Sequence, residues 1–196
     1  MLLKGGPARR RRPSTGQALV EFALVIPIFL TLVVGIFEFG YMVTIKNELT
    51  YSAQDAAQVA AEMGNTSGAD FYVLKQLESD LTDPINKPSI VSVKIFQSNA
   101  YGGSFGSNTY YRSGSWTGPD GTTIPWGPVG GGGGYPDSAR CTVMLGCPGG
   151  HSGVDWIGIT ITYQYHWLTP LPSLVGLGST APTIVQTTTT RLEPIQ

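Results

Sequence analysis

The chain has 196 residues, of which 41% are apolar and only 13% are charged, about half the usual charged share of a soluble domain. That length leaves room for one compact domain beside an N-terminal segment. The formal net charge of −1 is unevenly distributed, because Lys4 and residues 9–12 are basic and all thirteen acidic residues follow Gly16. The basic run lacks aromatic residues and stands apart from any predicted folded element, which argues against nucleic-acid binding. It indicates a flank that stays in the cytoplasm.

The next segment is apolar and carries no charge over residues 22–37. With its flanks it predicts a transmembrane helix over about residues 18–45, since a bilayer core of about 30 Å needs about 20 apolar residues. A cleaved secretory signal has a similar start, but this run is too long and no small-residue cleavage site follows it. We therefore expect a single span in the cell membrane, with a cytoplasmic N-terminus and the rest of the chain outside.

The helix is expected to continue beyond the membrane, because residues 47–63 contain neither proline nor glycine and Gly64 then favours a helix end. One long helix over residues 17–64 follows from this. Small side chains recur on one face of its second half, at Ala53, Ala56, Ala57, Ala60 and Ala61. Such a stripe lets helices approach closely, so it is a candidate packing surface. Whether it packs on a partner or on the chain's own domain stays open at this point.

Residues 65–196 predict an extracytoplasmic α+β domain. A short helix is expected over about residues 69–81, because Phe71, Leu74, Leu77 and Leu81 fall on one face. Three strands are expected at residues 90–97, 154–167 and 183–192, the second showing the clearest alternation. No βαβ spacing is present, so the small sheet is expected to be antiparallel. One face of it should form a core against the long helix.

Between the first two predicted strands, residues 98–153 hold sixteen of the 26 glycines. Ordering runs of glycine is costly in backbone entropy, which predicts a long, flexible and exposed loop. Four aromatic residues would decorate this loop: Tyr110, Tyr111, Trp116 and Trp126. A phosphate-binding loop is not indicated at residues 130–134, because neither a Lys-Ser or Lys-Thr pair nor a helix start follows them.

Cys141 and Cys147 lie close together in "CTVMLGC". Outside the cytoplasm a local disulfide is the favoured interpretation, with free thiols as the alternative. A zinc site would need four ligands, and only His151 is near, so no metal is predicted. The sequence also lacks H-E-x-x-H, G-x-S-x-G and any recognisable pair of carboxylates. We therefore expect a protein that is not an enzyme and needs no cofactor.

Several stretches resemble a known family. "GQALVEFALVIPIFL", "GIFEFGYMV" and "AQDAAQVAAEMG", and more moderately "YHWLTPLPSLVGLG" and "RLEP", are similar to TadE-like (TadE/TadG-type) pseudopilins of the tight-adherence, or Flp, pilus system. Gly16, followed at the fifth position by Glu21 and then an aromatic residue, resembles the processing site of type IV-like prepilins. The resemblance implies that a prepilin peptidase removes residues 1–16 as a leader and frees Gln17 as the new N-terminus.

The function implied by the resemblance is that of a minor pseudopilin, a structural or assembly subunit of the pilus or secretion apparatus that contacts other pseudopilins and pilus-assembly proteins. Major Flp pilins are short and carry Glu-Tyr at the equivalent place. Glu21-Phe22 and the large ectodomain here argue for a minor subunit. The alternative is a signal-anchored extracytoplasmic protein that is not cleaved and binds a ligand or surface through its aromatic, glycine-rich loop.

Glu21 lies just inside the apolar segment, where a lone carboxylate in hydrocarbon costs about 2.5–3.5 kcal/mol. After cleavage, the ammonium of Gln17 in one subunit could meet the Glu21 carboxylate of its neighbour, and the pair would fix the axial register of a bundle. The alternative is that Glu21 lies among the headgroups and is hydrated. Glu38, roughly 25 Å further along the helix, is expected near the outer interface, where its side chain can reach water.

Overall fold

The computed structural model describes residues 15–128, 134–143, 147, 153–174, 176 and 180–193. The basic leader residues and His151 lie outside these ranges. The first element is a single continuous helix, α1 (Thr15–Met63), of 49 residues, which is about 74 Å long at 1.5 Å per residue. It ends where the sequence predicted, and the Gly64 N–H closes its last turn on the Ala60 carbonyl oxygen at 3.1 Å.

A second helix, α2 (Ala69–Asp80), packs against the C-terminal half of α1 and buries the predicted apolar face. A short third helix, α3 (Leu171–Leu174), lies near α1 as well. The seven strands are β1 (Ile90–Ser98), β2 (Ser104–Tyr111), β3 (Trp116–Thr117), β4 (Thr123–Ile124), β5 (Gly127–Pro128), β6 (Trp156–Gln164) and β7 (Thr183–Arg191). The α+β fold, the two main helices and the three predicted strands are confirmed.

Five of the strands form one antiparallel sheet in the order β5-β2-β1-β6-β7, and β3 and β4 form a separate hairpin. In the central pair, Ile95 of β1 lies opposite Ile159 of β6. Both side chains are fully buried, because alternate residues of each strand point to the face that α1 and α2 cover. We call this assembly, residues 38–193, the head. Its core lies between the sheet and the second half of α1, as the alternation in β6 predicted.

The described part of the glycine-rich segment is more regular than its composition predicted, and the expectation of one exposed loop over residues 98–153 is wrong for residues 104–128. Strand β2 pairs with β1 along most of its length, and β5 extends the sheet beyond it. Tyr110 and Trp126 are buried in the core. Some glycines serve close packing: a Cβ on Gly118 would lie 2.2 Å from the Phe71 ring.

Candidate membrane anchor and assembly site

The N-terminal half of α1 projects from the head without covering. No residue between 16 and 37 is buried, and Glu38 is the first buried residue of the helix. We call residues 16–37 the bare stretch; at 1.5 Å per residue it is about 33 Å long, close to the bilayer core of about 30 Å. Ile45 is already buried in the head, so the stretch ends earlier than the predicted limit near residue 45. The helix is long and apolar enough to cross a membrane.

The predicted processing residues lie together at the start of the bare stretch. The Gln17 side-chain amide donates a hydrogen bond to Glu21 Oε1 at 2.9 Å, on the exposed helix surface. Apart from the adjacent residues and the backbone of α1 itself, no atom of the described residues lies within 4 Å of the place where a Cβ on Gly16 would stand. The fold itself therefore does not require glycine at this position. Any requirement for Gly16 must come from a partner.

Glu38 occupies a different environment from the one predicted. Its side chain is buried, with 5% of its surface exposed. The carboxylate accepts hydrogen bonds from the Tyr165 hydroxyl at 2.7 Å and the Leu168 N–H at 2.9 Å, both at Oε1. Oε2 accepts a third from Thr169 Oγ1 at 3.0 Å. The expectation that Glu38 extends into water at the interface is wrong, because these three donors replace the water.

Glu38 thereby joins the end of the bare stretch to the segment that follows β6, residues 165–174, which we call the junction segment. Burial, together with the hydrogen bond to Glu38 and its charge, raises the pKa of Tyr165 above its ordinary value, so that this hydroxyl stays a donor. The Tyr165 ring also lies edge-on to Trp167, with centroids 5.5 Å apart. A second contact at this level is the hydrogen bond from the Tyr41 hydroxyl to the Pro84 carbonyl oxygen, at 3.1 Å.

The alanine stripe is buried within the chain's own head. All five residues are buried there: Ala53, Ala56, Ala57, Ala60 and Ala61. The second half of α1 packs on α2, β6 and β7 along this stripe. Of the two interpretations that the sequence left open, the structure supports packing on the chain's own domain. The small side chains bring α1 close to the sheet, and the stripe is not a free surface for a neighbouring helix.

Two ionic clusters hold the glycine-rich segment on the head. Arg140 is fully buried and pairs with Asp70 and, at 3.1 Å, with Asp137. Asp70 also accepts a hydrogen bond from the Tyr110 hydroxyl of β2 at 2.5 Å. A buried guanidinium requires such partners, because unpaired buried charge is costly. The cluster therefore fixes both β2 and the segment around Arg140 against the start of α2.

The second cluster surrounds Glu78 of α2. Its carboxylate pairs with Arg112, and with Lys87 at 3.2 Å, and accepts a hydrogen bond from the Trp126 indole at 3.3 Å. Burial acts to raise the pKa of Glu78, but the hydrogen bonds and charges of Arg112 and Lys87 outweigh it and leave the pKa below its ordinary value. Glu78 is therefore ionised at neutral pH and holds Arg112 and Trp126 on the head.

The structure joins Cys141 and Cys147 by a disulfide, with Cα atoms 5.2 Å apart. Cys141 is buried, and its N–H donates to Asp155 Oδ2 at 2.9 Å. The bridge closes a short local loop beside the Arg140 cluster. Among the described residues, no group of three His, Cys, Asp or Glu side chains is placed to hold a metal ion.

Sequence reasoning missed the roles of Glu38 and Arg140. Glu38 stands alone in the apolar run "GIFEFG", and a lone carboxylate beside a membrane-length helix is a signal for a buried partner. Arg140 gave no comparable local signal, since its partner Asp70 lies 70 residues away. The predicted residues Gly16, Gln17 and Glu21 do lie together, whereas the alanine stripe and the disulfide lie at separate places in the head.

An uncovered apolar helix of membrane length, continuous with the helix that supports an α+β head, is the architecture of a membrane-anchored protein. The model of the TadE-like protein family matches residues 16–58, and over that segment the chain is similar to TadE-like proteins. The match includes Gly16, Glu21 and Glu38, and it points to involvement in the tight-adherence (Flp) pilus system. Comparisons with curated proteins and with solved structures gave no match.

Proposed function

We propose that this protein is a minor pseudopilin, a structural or assembly subunit of a tight-adherence pilus or secretion apparatus, and that it has no enzymatic activity. The observation that carries the proposal is the family match over residues 16–58, which begins at Gly16, covers the whole bare stretch and continues into the buried half of α1. Side chains that no part of the described chain covers are suited to contacts within a membrane or a bundle of subunits.

The proposed topology is a single pass of the cell membrane with the leader inside and the head outside. The basic residues before Gly16 support this orientation, because basic flanks are retained in the cytoplasm. The Cys141–Cys147 bridge supports it as well, since disulfides persist in oxidising compartments. A prepilin peptidase would then act on Gly16 and Gln17 at the cytoplasmic face.

Glu21 is the proposed contact with neighbouring subunits. Within one chain its partner is the Gln17 amide, which is neutral and does not offset the charge of the carboxylate. Cleavage after Gly16 would create an ammonium on Gln17. A neighbour's ammonium could then compensate the Glu21 charge where hydration is poor, and it would fix the position of one helix along the other.

The mature N-terminus tests the proposal. Protein extracted from the membranes of a strain that encodes the prepilin peptidase should begin at Gln17, and a Gly16→Leu variant should keep its full length. Gly35→Leu is the matched control, because a Cβ at either glycine meets no described atom within 4 Å beyond the adjacent residues and the backbone of α1 itself, so that the fold accepts both changes. Gly35→Leu should be cleaved normally. Wild-type protein that begins at Met1 would contradict the proposal and favour an uncleaved signal anchor.

A further inference from the structure

The junction segment lies level with the outer end of the bare stretch. The Leu168 N–H and the Thr169 hydroxyl donate to Glu38 at 2.9 and 3.0 Å, and Glu38 directly follows the bare stretch. That stretch, about 33 Å long, fills a hydrocarbon core of about 30 Å. When the bare stretch spans a bilayer, Leu168 and its neighbours therefore lie at the boundary between acyl chains and headgroups.

The side chains at this level suit that boundary. Leu168 is 56% exposed, and Phe37 and Phe39, on either side of Glu38, are 72% and 67% exposed. Trp167 is half-buried, its ring packs beside Tyr165, and its indole Nε1 is itself buried with no acceptor among the described residues. The exposed side chains at this level are therefore the apolar ones, which suit the boundary between acyl chains and headgroups.

The charge of the junction segment also fits a lipid surface. Its ten residues, "YHWLTPLPSL", include no Asp, Glu, Lys or Arg. The carboxylate beneath it, Glu38, is already satisfied by three donors, so approach of lipid leaves no new unpaired charge. His166 is exposed, and its Nδ1 lies 3.3 Å from Ser89 Oγ. An imidazole that is neutral or protonated is compatible with headgroups.

We propose that the junction segment is a membrane-interface contact: Leu168, together with Phe37 and Phe39, enters the outer headgroup–acyl boundary and seats the head directly on the bilayer. The partner is lipid, because this surface continues from the membrane-length bare stretch. The inference rests on the membrane anchoring that the proposed function includes. Glu38 fixes the segment to α1, so that the head and the anchor meet the bilayer as one unit.

The opposite end of the head provides a matched control. Strand β1 runs from Ile90, opposite Tyr163, to Ser98, opposite Trp156, which carries the turn after it away from Glu38. Tyr101 lies in that turn and is 97% exposed. The Glu193 N–H joins this distal region to Ala61 at 3.1 Å, and Ala61 is about 35 Å along α1 from Glu38. Lipid cannot reach Tyr101 when the head stands on the membrane.

The test uses the full chain in phosphatidylcholine vesicles at less than one molecule per vesicle, so that no neighbouring subunit covers the surface. Single cysteines at Leu168, Tyr101 and Val25 are labelled with an environment-sensitive NBD fluorophore, which the oxidised native pair does not take up. Lipids with a nitroxide at a shallow acyl position then quench a label at the boundary, and lipids with a nitroxide at a deep acyl position quench the label at Val25, which lies about 20 Å along α1 from Glu38. The Tyr101 site carries the same label and therefore controls for its affinity for lipid.

We expect the Leu168→Cys label to shift to shorter wavelength and to lose at least half of its emission to the nitroxide lipid, while the Tyr101→Cys label stays unquenched. A Leu168 label that behaves like the Tyr101 label overturns the inference. Quenching at Val25→Cys in that case leaves the membrane anchor intact. Absence of quenching at Val25 as well overturns both the inference and the proposed anchoring.

Discussion

Replacing Glu38 by alanine should detach the junction segment from α1 and destabilise the head. The substitution removes the acceptor of three hydrogen bonds and leaves the buried Tyr165 hydroxyl and the Leu168 N–H without a partner. Each buried donor that loses its partner costs about 1–3 kcal/mol. Thr169 is half-buried and can turn its hydroxyl to water. We therefore expect the free energy of unfolding to fall by about 2–5 kcal/mol.

Glu38→Gln separates the loss of charge from the loss of the acceptor. The amide oxygen can still accept from Tyr165 and Leu168, and the amide NH2 can donate to the Thr169 hydroxyl oxygen. Only the extra strength of bonds to a carboxylate is lost, so a cost of about 1 kcal/mol is expected. The order of stability should be wild type, then Glu38→Gln, then Glu38→Ala.

The measurement is urea unfolding of the full chain in detergent micelles, followed by tryptophan fluorescence, with the slope checked to be the same in all variants. Glu62→Ala is the control on the same helix, because Glu62 is exposed and accepts only the Gln58 amide at 3.1 Å in the described contacts. It should change stability little. If Glu38→Ala has the same free energy of unfolding as the wild type, or as Glu38→Gln, the carboxylate does not hold the junction segment and the reasoning is refuted.

Three further outcomes are expected. Glu21→Ala should lower cross-linking to neighbouring pseudopilins at equal membrane levels, whereas Glu62→Ala, which removes the same kind of i,i+4 contact outside the bare stretch, should not; equal yields would leave Glu21 without an assembly role. The pKa of Glu78 is lowered in the folded protein, so its ionised form adds stability at pH values above the ordinary pKa of 4.5. This contribution disappears as the pH falls through the folded-state pKa. Glu78→Gln should therefore be less stable than wild type at pH 7, and the difference should shrink below pH about 4; a gap constant with pH would contradict this. Asp70→Ala should cost about 3–5 kcal/mol in denaturant unfolding, because Arg140 would remain fully buried with one ion-pair partner fewer.

Sequence periodicity predicted the helices and strands whose pattern of buried and exposed side chains is visible in neighbouring residues. In β6, alternate side chains such as Ile157 and Ile159 are buried, and the same alternation is visible in the sequence. The end of α1 at Gly64 and the apolar face of α2 were likewise local features. Each of these elements presents one apolar face to a single core, so composition and spacing were sufficient to predict them.

Strand β2 shows where local patterns fail. Its sequence, "SFGSNTYY", has few buried side chains and contains a glycine, so no alternation of polar and apolar residues marks it as a strand. Its position is fixed instead by pairing with β1 and by Asn108 and Tyr110, which donate to Asp70 from 38 and 40 residues away. Contacts between residues so far apart in the chain cannot be recognised from the pattern of a short sequence segment. Composition described the entropy cost of the glycines correctly but not the buried contacts that offset it.

The same reasoning explains why Glu38 was misplaced. Its hydrogen-bond partners lie 127 to 131 residues further along the chain. A rule about helix position predicts how far Glu38 lies from the membrane edge, but it cannot predict distant residues that cover the carboxylate. The prediction that Glu38 reaches water was wrong for that reason.

Burial of the alanine stripe changes which part of α1 is available to other subunits. Had Ala53 to Ala61 been free, helix packing outside the membrane could have set the spacing between neighbours. The head covers that stripe, so in the proposed assembly the small side chains of α1 are not available to a neighbouring helix, whereas the whole bare stretch is. In that stretch Glu21 is the only charged side chain. Apolar side chains can slide past one another with little change in energy, whereas a charge in a poorly hydrated place has one favourable position relative to its partner. In the proposed assembly, Glu21 is the residue of the bare stretch that is suited to fix the register of a bundle.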